Sequence, residues 1–313
     1  MLSIQDVKAA ANRISPYIRQ TPLVRARCMK ETLFPDGESW LKLESLQVTG
    51  SFKARGATNK LLSLPREEVQ RGIVTASGGN HGLATAYAGW LGKVKTTVFV
   101  PENVSPEKAR KLETWGARVV VRGRHWHEAN REALALADRE GLAYFHPFAD
   151  PVVIAGQGTL GLEILDQTAD VDELLVAIGG GGLISGISLT VKALRPSIRV
   201  VGVEPTGAPT LYESVRAGRV VELPGITTRV PTLSALKTEP INLEIVQRCV
   251  DEIVLVTDEE MQEAARWLWF EMGVAADLSG AASVAALRSG KVRPHGGRTV
   301  CALISGAGPD GLA

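Results

Sequence analysis

Thr49-Gly50-Ser51-Phe52-Lys53-Ala54-Arg55-Gly56 sets one lysine in a turn of small residues. The apolar run before it, Trp40 to Leu46, reads as a strand. A lysine by itself is usually a solvated surface charge. Here Ser51, Ala54 and Gly56 keep the surroundings small, and Phe52 offers an apolar wall. An amine held this way can form a Schiff base with a carbonyl group. The octapeptide alone leaves a surface turn and a reactive amine both open.

Two later segments bear on that choice. Gly179-Gly180-Gly181-Gly182-Leu183 follows the apolar run Leu174 to Ile178 and leads into an apparent helix start at Ile184-Ser185-Gly186. Glycines let backbone N–H groups converge on an anion, and a helix N-terminus adds a favourable dipole. A phosphate is the natural guest, although a turn built for tight packing reads the same way. The spacing is not the dinucleotide pattern, and no acidic residue follows at the ribose distance. Ser77-Gly78-Gly79-Asn80-His81-Gly82 stands after a strand candidate and opens a helix, His81 to Leu91. Its N–H groups, amide and hydroxyl suit a carboxylate, and they also suit an ordinary helix cap.

The 313 residues suffice for one large or two ordinary domains, and 45% apolar content can build a core. The 35 basic and 34 acidic residues are interspersed and leave a net charge of +1. That balance gives no reason to expect nucleic acid or a membrane surface as partner. Cys28, Cys249 and Cys301 are odd in number and far apart, which fits a reducing, cytoplasmic setting. The N-terminus lacks a basic region followed by an apolar run, so no signal peptide is expected. Leu174 to Val191 carries no charge and is long enough to raise the question of a membrane span. Four glycines in its middle favour a strand, a loop and a helix start.

Short β-branched runs alternate with amphipathic stretches along the chain. Strand candidates are Ile73 to Thr75, Thr97 to Val100, Arg118 to Val121, Leu175 to Ile178, Val200 to Val203, Ile253 to Val256 and Val300 to Ile304. Asp150-Pro151 and Ser105-Pro106 read as helix caps followed by a first-turn proline. Thr257 with Glu260 reads as a capping box. His125-Trp126-His127 reads as a surface helix start, not a metal site. The alternation predicts an α/β fold with mostly parallel sheets.

The Ser51-to-Gly56 hexapeptide, the Ser77-to-Gly82 loop and the tetraglycine loop together resemble the fold-type II pyridoxal-phosphate enzymes, most closely the serine/threonine dehydratase group. The resemblance runs from Thr21-Pro22-Leu23 to Ser305-Gly306. It implies the tryptophan synthase β-like architecture of two three-layer α/β domains. Residues 1–69 and 150–313 would form a discontinuous large cofactor domain, and 70–149 a small substrate domain, with the site in the cleft. Pyridoxal 5'-phosphate would be linked to Lys53 beside Phe52. Gly179, Gly180, Gly181, Gly182 and Leu183 would hold its phosphate, and Asn80 its ring hydroxyl oxygen. Ser305 would face the pyridine nitrogen, leaving it largely unprotonated. The loop around Ser77, Gly78, Asn80 and His81 would receive the substrate carboxylate. A divalent or monovalent cation is implied at Glu204 and Ala208.

The chain departs from the family pattern at several positions. Serine racemases carry a second serine where this chain has Gly78, so proton return from the opposite face is disfavoured. The usual Ser-Gly-Gly-Asn is Ser305-Gly306-Ala307-Gly308 here. Phe148 replaces an Asn that often follows His-Pro, Asp277 replaces a Glu, and Thr210 stands where a second cation carboxylate is common. The sulfhydrylase and cystathionine synthase branch is similar in fold, but Lys53-Ala54-Arg55 and Asn80-His81-Gly82 side with the dehydratases. The resemblance therefore implies β-elimination from L-threonine or L-serine, giving 2-oxobutanoate or pyruvate and ammonia. Serine racemase, hydroxyaspartate dehydratase and a catalytically silent cofactor-binding protein are the alternatives. A homodimer and no isoleucine-type feedback are also expected.

Overall fold

The computed structural model describes residues 2–102, 104–168, 170–294 and 297–312. Their elements run in chain order α1 (Ile4–Ile14), β1 (Leu23–Arg25), β2 (Glu38–Leu43), α2 (Lys53–Ser63), α3 (Arg66–Gln70), β3 (Ile73–Ala76), α4 (Asn80–Gly92) and β4 (Thr96–Val100). Then come α5 (Pro106–Thr114), β5 (Arg118–Val121), α6 (Trp126–Glu140), β6 (Ala143–Tyr144), α7 (Pro151–Gln167), β7 (Glu173–Ala177) and α8 (Gly182–Leu194). The last are β8 (Arg199–Pro205), α9 (Thr210–Ala217), α10 (Pro240–Cys249), β9 (Glu252–Val256), α11 (Asp258–Met272), α12 (Leu278–Arg288) and β10 (Thr299–Ile304).

The strands form two sheets. One has the order β1-β2-β10-β7-β8-β9 and is parallel except for β1 against β2. The other, β5-β4-β3-β6, is parallel throughout and lies in sequence between β2 and β7. β7 and β10 are buried along their whole length, as expected of parallel strands covered by helices on both faces. Ala281, Ala282, Ala285 and Ala286 on α12 are fully buried, and these small side chains let that helix lie close to the six-stranded sheet.

The caps read from the sequence are present. Asp150 accepts from Val152 N at 2.8 Å, and Ser105 from Lys108 N at 3.3 Å. Thr257 and Glu260 close a reciprocal capping box. The uncharged stretch 174–191 resolves into β7, a loop and α8, and among the described residues no helix is long and apolar enough to cross a membrane. His125 and His127 are exposed at the start of α6. The strand expected at Trp40 to Leu46 stops earlier. β2 ends at Leu43, and Glu44 opens a 3-10 turn because its carboxylate turns inward to Arg55. β1 and β6, of three and two residues, are too short to show an alternating pattern.

Candidate active site

In a parallel sheet the loops that carry chemistry gather at the carboxyl ends of strands. β3 ends at Ala76 before Ser77, β7 ends at Ala177 before the tetraglycine loop, and β10 ends at Ile304 before Ser305. The lysine segment is stitched to the last of these. Ser51 and Gly306 form an antiparallel bridge, Phe52 N donates to Ser305 O at 3.2 Å, and Ala307 N to Gly50 O at 2.8 Å. Thr49 (φ 64°) and Gly50 (φ 80°) make the left-handed turn that allows this. The segment just before Lys53 is thus bonded to the Ser305 turn although the two lie far apart in sequence.

Lys53 is the first residue of α2. Its Nζ donates to Pro147 O at 2.6 Å and lies 5.1 Å from the centre of the Phe52 ring. Burial lowers its pKa to about 8. His146 Nδ1 accepts from Phe148 N at 3.2 Å and Ala149 N at 2.9 Å, which fixes the turn carrying that carbonyl. Burial also pushes His146 down to about 4, the neutral state that an accepting nitrogen requires.

The tetraglycine loop has a specific conformation. Gly181 is left-handed at φ 101°. Gly180 O accepts from Thr238 Oγ1 at 3.0 Å and Asn242 Nδ2 at 2.9 Å. With that carbonyl taken, the N–H groups of Gly179, Gly180, Gly181, Gly182 and Leu183 have no protein acceptor among the described residues. A Cβ on Gly182 would lie 2.6 Å from Phe148 O, and one on Gly180 2.3 Å from the Phe148 ring. Phe148 therefore packs directly on the loop, and only glycine admits it there. Unpaired amides at the start of α8 fit a phosphate.

The Ser77 loop opens α4. Ser77 Oγ accepts from Gly79 N at 3.2 Å. A Cβ on Gly78 would lie 3.0 Å from Val104 Cγ2, so Val104 holds the space a side chain would need. His81 is buried, its Nε2–H donates to Phe145 O at 2.9 Å, and burial lowers its pKa to about 3. Its ring is committed to that carbonyl, so the loop offers the backbone N–H groups of the first turn of α4. Asn80 Nδ2 donates to Asp277 Oδ2 at 3.1 Å. Ser305 is buried and its Oγ donates to Ser279 O at 3.3 Å.

Glu204 and Ala208 lie together but are otherwise engaged. Both Glu204 oxygens accept N–H groups of α9, from Leu211 and Tyr212 at 2.8 Å each. Ala208 O accepts from Thr210 N at 2.9 Å, and Thr210 Oγ1 donates to Ala235 O at 2.6 Å. Burial pushes the Glu204 carboxyl up to about 8. Among the described residues no three His, Cys, Asp or Glu side chains gather as a metal site. One carboxylate that already accepts an N–H on each oxygen, with no cluster of acidic side chains around it among the described residues, is a poor match for a divalent cation, which takes about six oxygens.

Sequence reasoning gave no role to three features that shape the site. Asn242 and Thr238, which hold the tetraglycine loop, look like ordinary polar residues. The Asn80–Asp277 bond joins residues 197 apart. Beneath Lys53 lies a buried ionic cluster. Arg55 bonds Glu44 through two nitrogens at 2.7 and 2.8 Å and Glu163 at 2.8 Å, and Lys42 bonds Glu163 at 2.6 Å. The presence of Arg55 in the lysine hexapeptide was its only signal.

The Pyridoxal-phosphate dependent enzyme family model matches residues 14–306. An L-threonine ammonia-lyase of Thermotoga maritima is 38% identical over 310 residues, 99% of this chain and 76% of that protein. A catabolic L-threonine dehydratase of Staphylococcus aureus is 35% identical over 99% of this chain and 90% of its own. Among solved structures, a threonine deaminase of T.th. superposes with a TM-score of 0.89 at 38% identity, covering 97% of this chain and 98% of that one. Maize serine racemase gives 0.93 at 30% identity, covering 97% and 93%. Coverage of this extent, on a chain whose lysine, glycine loop and Ser305 turn converge at the strand ends, makes it a member of the pyridoxal-phosphate-dependent enzymes, in the serine/threonine dehydratase group.

Proposed function

We propose that this pyridoxal-phosphate-dependent lyase eliminates the β-hydroxyl of L-threonine and L-serine as water, which is returned when the released enamine hydrolyses to ammonia and 2-oxobutanoate or pyruvate. The observation that carries the reading is the desolvated Lys53 amine beside the unpaired amides of residues 179–183. Pyridoxal phosphate, when bound, supplies an electron sink at the substrate α-carbon. Gly179, Gly180, Gly181, Gly182 and Leu183 would hold its phosphate, Asn80 its ring oxygen and Ser305 its ring nitrogen. The N–H groups at the start of α4, with Ser77, Gly78, Asn80 and His81, would receive the substrate carboxylate.

Lys53 Nζ is the base that takes the α-proton. A pKa of about 8 leaves on the order of a tenth of the amine neutral at pH 7, whereas an ordinary lysine leaves well under a thousandth. Pro147 O keeps the amine aimed by accepting one of its hydrogens. Gly78, which resemblance would set on the opposite face, packs against Val104 and has no group to return a proton. This supports elimination over racemisation.

The division into a large domain (1–69 and 150–313) and a small one (70–149) is part of the same proposal, supported by the two separate sheets. A cytoplasmic homodimer is also proposed, by likeness to the family and from three free cysteines. No cation is included, because Glu204 is already bonded to α9.

The test is turnover by the cofactor-loaded protein. L-Threonine, L-serine, their D-forms and threo-3-hydroxyaspartate are compared for 2-oxo acid and ammonia release, with Lys53→Ala as control. Release from the L-forms, lost in the variant, is expected. No oxo acid from any of them, with a borohydride-reducible link intact at Lys53, would refute it.

A further inference from the structure

Asp277 sits at the N-cap of α12, and its two oxygens divide their work. Oδ1 accepts from Ser279 Oγ and from Gly280 N, both at 2.6 Å. Oδ2 accepts from Asn80 Nδ2 at 3.1 Å. The cap thus holds the carboxylate still while one oxygen reaches across to the other sheet's α4. The surrounding backbone is shaped for this. A Cβ on Gly306 would lie 2.7 Å from Asp277 Oδ2 and 3.0 Å from Asn80 Nδ2. A Cβ on Gly308 would lie 2.7 Å from Asp277 Cβ. The two departures noted in the sequence, Asp277 and Gly308, are therefore in contact, Gly308 lying against the backbone and Cβ of residue 277.

An amide nitrogen carries two hydrogens, whereas its oxygen only accepts. A carboxylate at Oδ2 therefore decides which end of the Asn80 amide faces it. We propose that Asp277 is a positioning residue that locks Asn80 with its NH2 as the donor, so that the second N–H is offered to the cofactor's ring oxygen. This rests on the reading that pyridoxal phosphate occupies the cleft. It also assigns to Asn80 and Asp277 a tie between the four-stranded and six-stranded sheets across that cleft.

Asp277→Asn tests this with little change in shape. Asn serves as an N-cap about as well as Asp, so α12 keeps its cap. Its NH2 would then face the Asn80 NH2, and Asn80 would turn over and present oxygen where the donor is needed. Asp277→Ser also keeps the cap but does not reach Asn80. Both variants are expected to retain the borohydride-reducible link at Lys53. Both should bind pyridoxal phosphate about tenfold more weakly, as for loss of one charge-assisted hydrogen bond. Both should shift the visible absorption band of the reconstituted protein in the direction seen for Asn80→Ala. Asp277→Glu should restore the band, and Asn80→Ala added to Asp277→Asn should shift it no further. Wild-type band and affinity in both cap-preserving variants, or fully additive shifts in the double variant, would overturn the proposal. If the wild-type protein forms no reducible link at all, the cofactor reading itself fails, and Asp277 loses its role with it.

Discussion

Replacing Arg55 by Met should cost more stability than its distance from any reacting atom suggests. Arg55 is 1% exposed and Glu44 fully buried, and the guanidinium grips Glu44 with Nε and Nη2. The same group reaches Glu163, which Lys42 also holds. Two cations and two anions balance in this cluster, so the variant leaves one net negative charge out of water. Removing one partner of a buried ion pair costs about 3–5 kcal/mol. A chain of this size loses roughly 2 °C in Tm per kcal/mol, so a fall of about 6–10 °C is expected. Burial alone would raise the Glu163 carboxyl, but the Arg55 and Lys42 charges outweigh it and hold it below its ordinary value. A lowered carboxyl pKa stabilises the fold above the unfolded value near 4.5, and that gain disappears as pH falls through the folded value. The wild-type Tm should therefore drop on acidification below about pH 4.5, and the Met variant should show a shallower drop there. Differential scanning calorimetry from pH 3.5 to 7.5 measures both quantities. A Tm within 2 °C of wild type at pH 7, with an unchanged acid limb, would refute the argument that this cluster holds α2 and its lysine in place.

Only a neutral amine attacks an aldehyde, so the rate at which the cofactor-free protein captures pyridoxal phosphate should rise with pH and reach half its maximum near pH 8; a midpoint above pH 9.5 would mean Lys53 is not desolvated. Gly182→Ala forces a Cβ to within 2.6 Å of Phe148 O, a rigid neighbour, and should weaken pyridoxal-phosphate binding by roughly tenfold or more in a fluorescence titration; unchanged affinity would show that the loop adapts. Treatment with EDTA should leave both Tm and turnover of L-threonine unchanged, because Glu204 is spent on α9; recovery of lost activity by added Mg²⁺ would contradict this.

The fold class was legible because strand and helix periods alternate cleanly, and the caps at Ser105, Asp150 and Thr257 are local chemistry that a sequence states outright. Lys53, the tetraglycine loop and Ser305 could be marked from residue type and resemblance. Their convergence could not, since it depends on strand order and on the Ser51–Gly306 bridge. Glu44 looked like part of a strand because its partner, Arg55, approaches only after the chain turns. The ring of His81, in the loop expected at the substrate carboxylate, bonds Phe145 O, a contact made by the fold and not by the loop. Glu204 illustrates the same point, since its bonds to the Leu211 and Tyr212 amides exist only once α9 has packed beside β8. Local sequence decided which groups are available, because caps, turns and apolar periods act over a few residues. The tertiary structure decided which of them remain free to meet a ligand, because burial and partners across long separations exist only once the two sheets have packed.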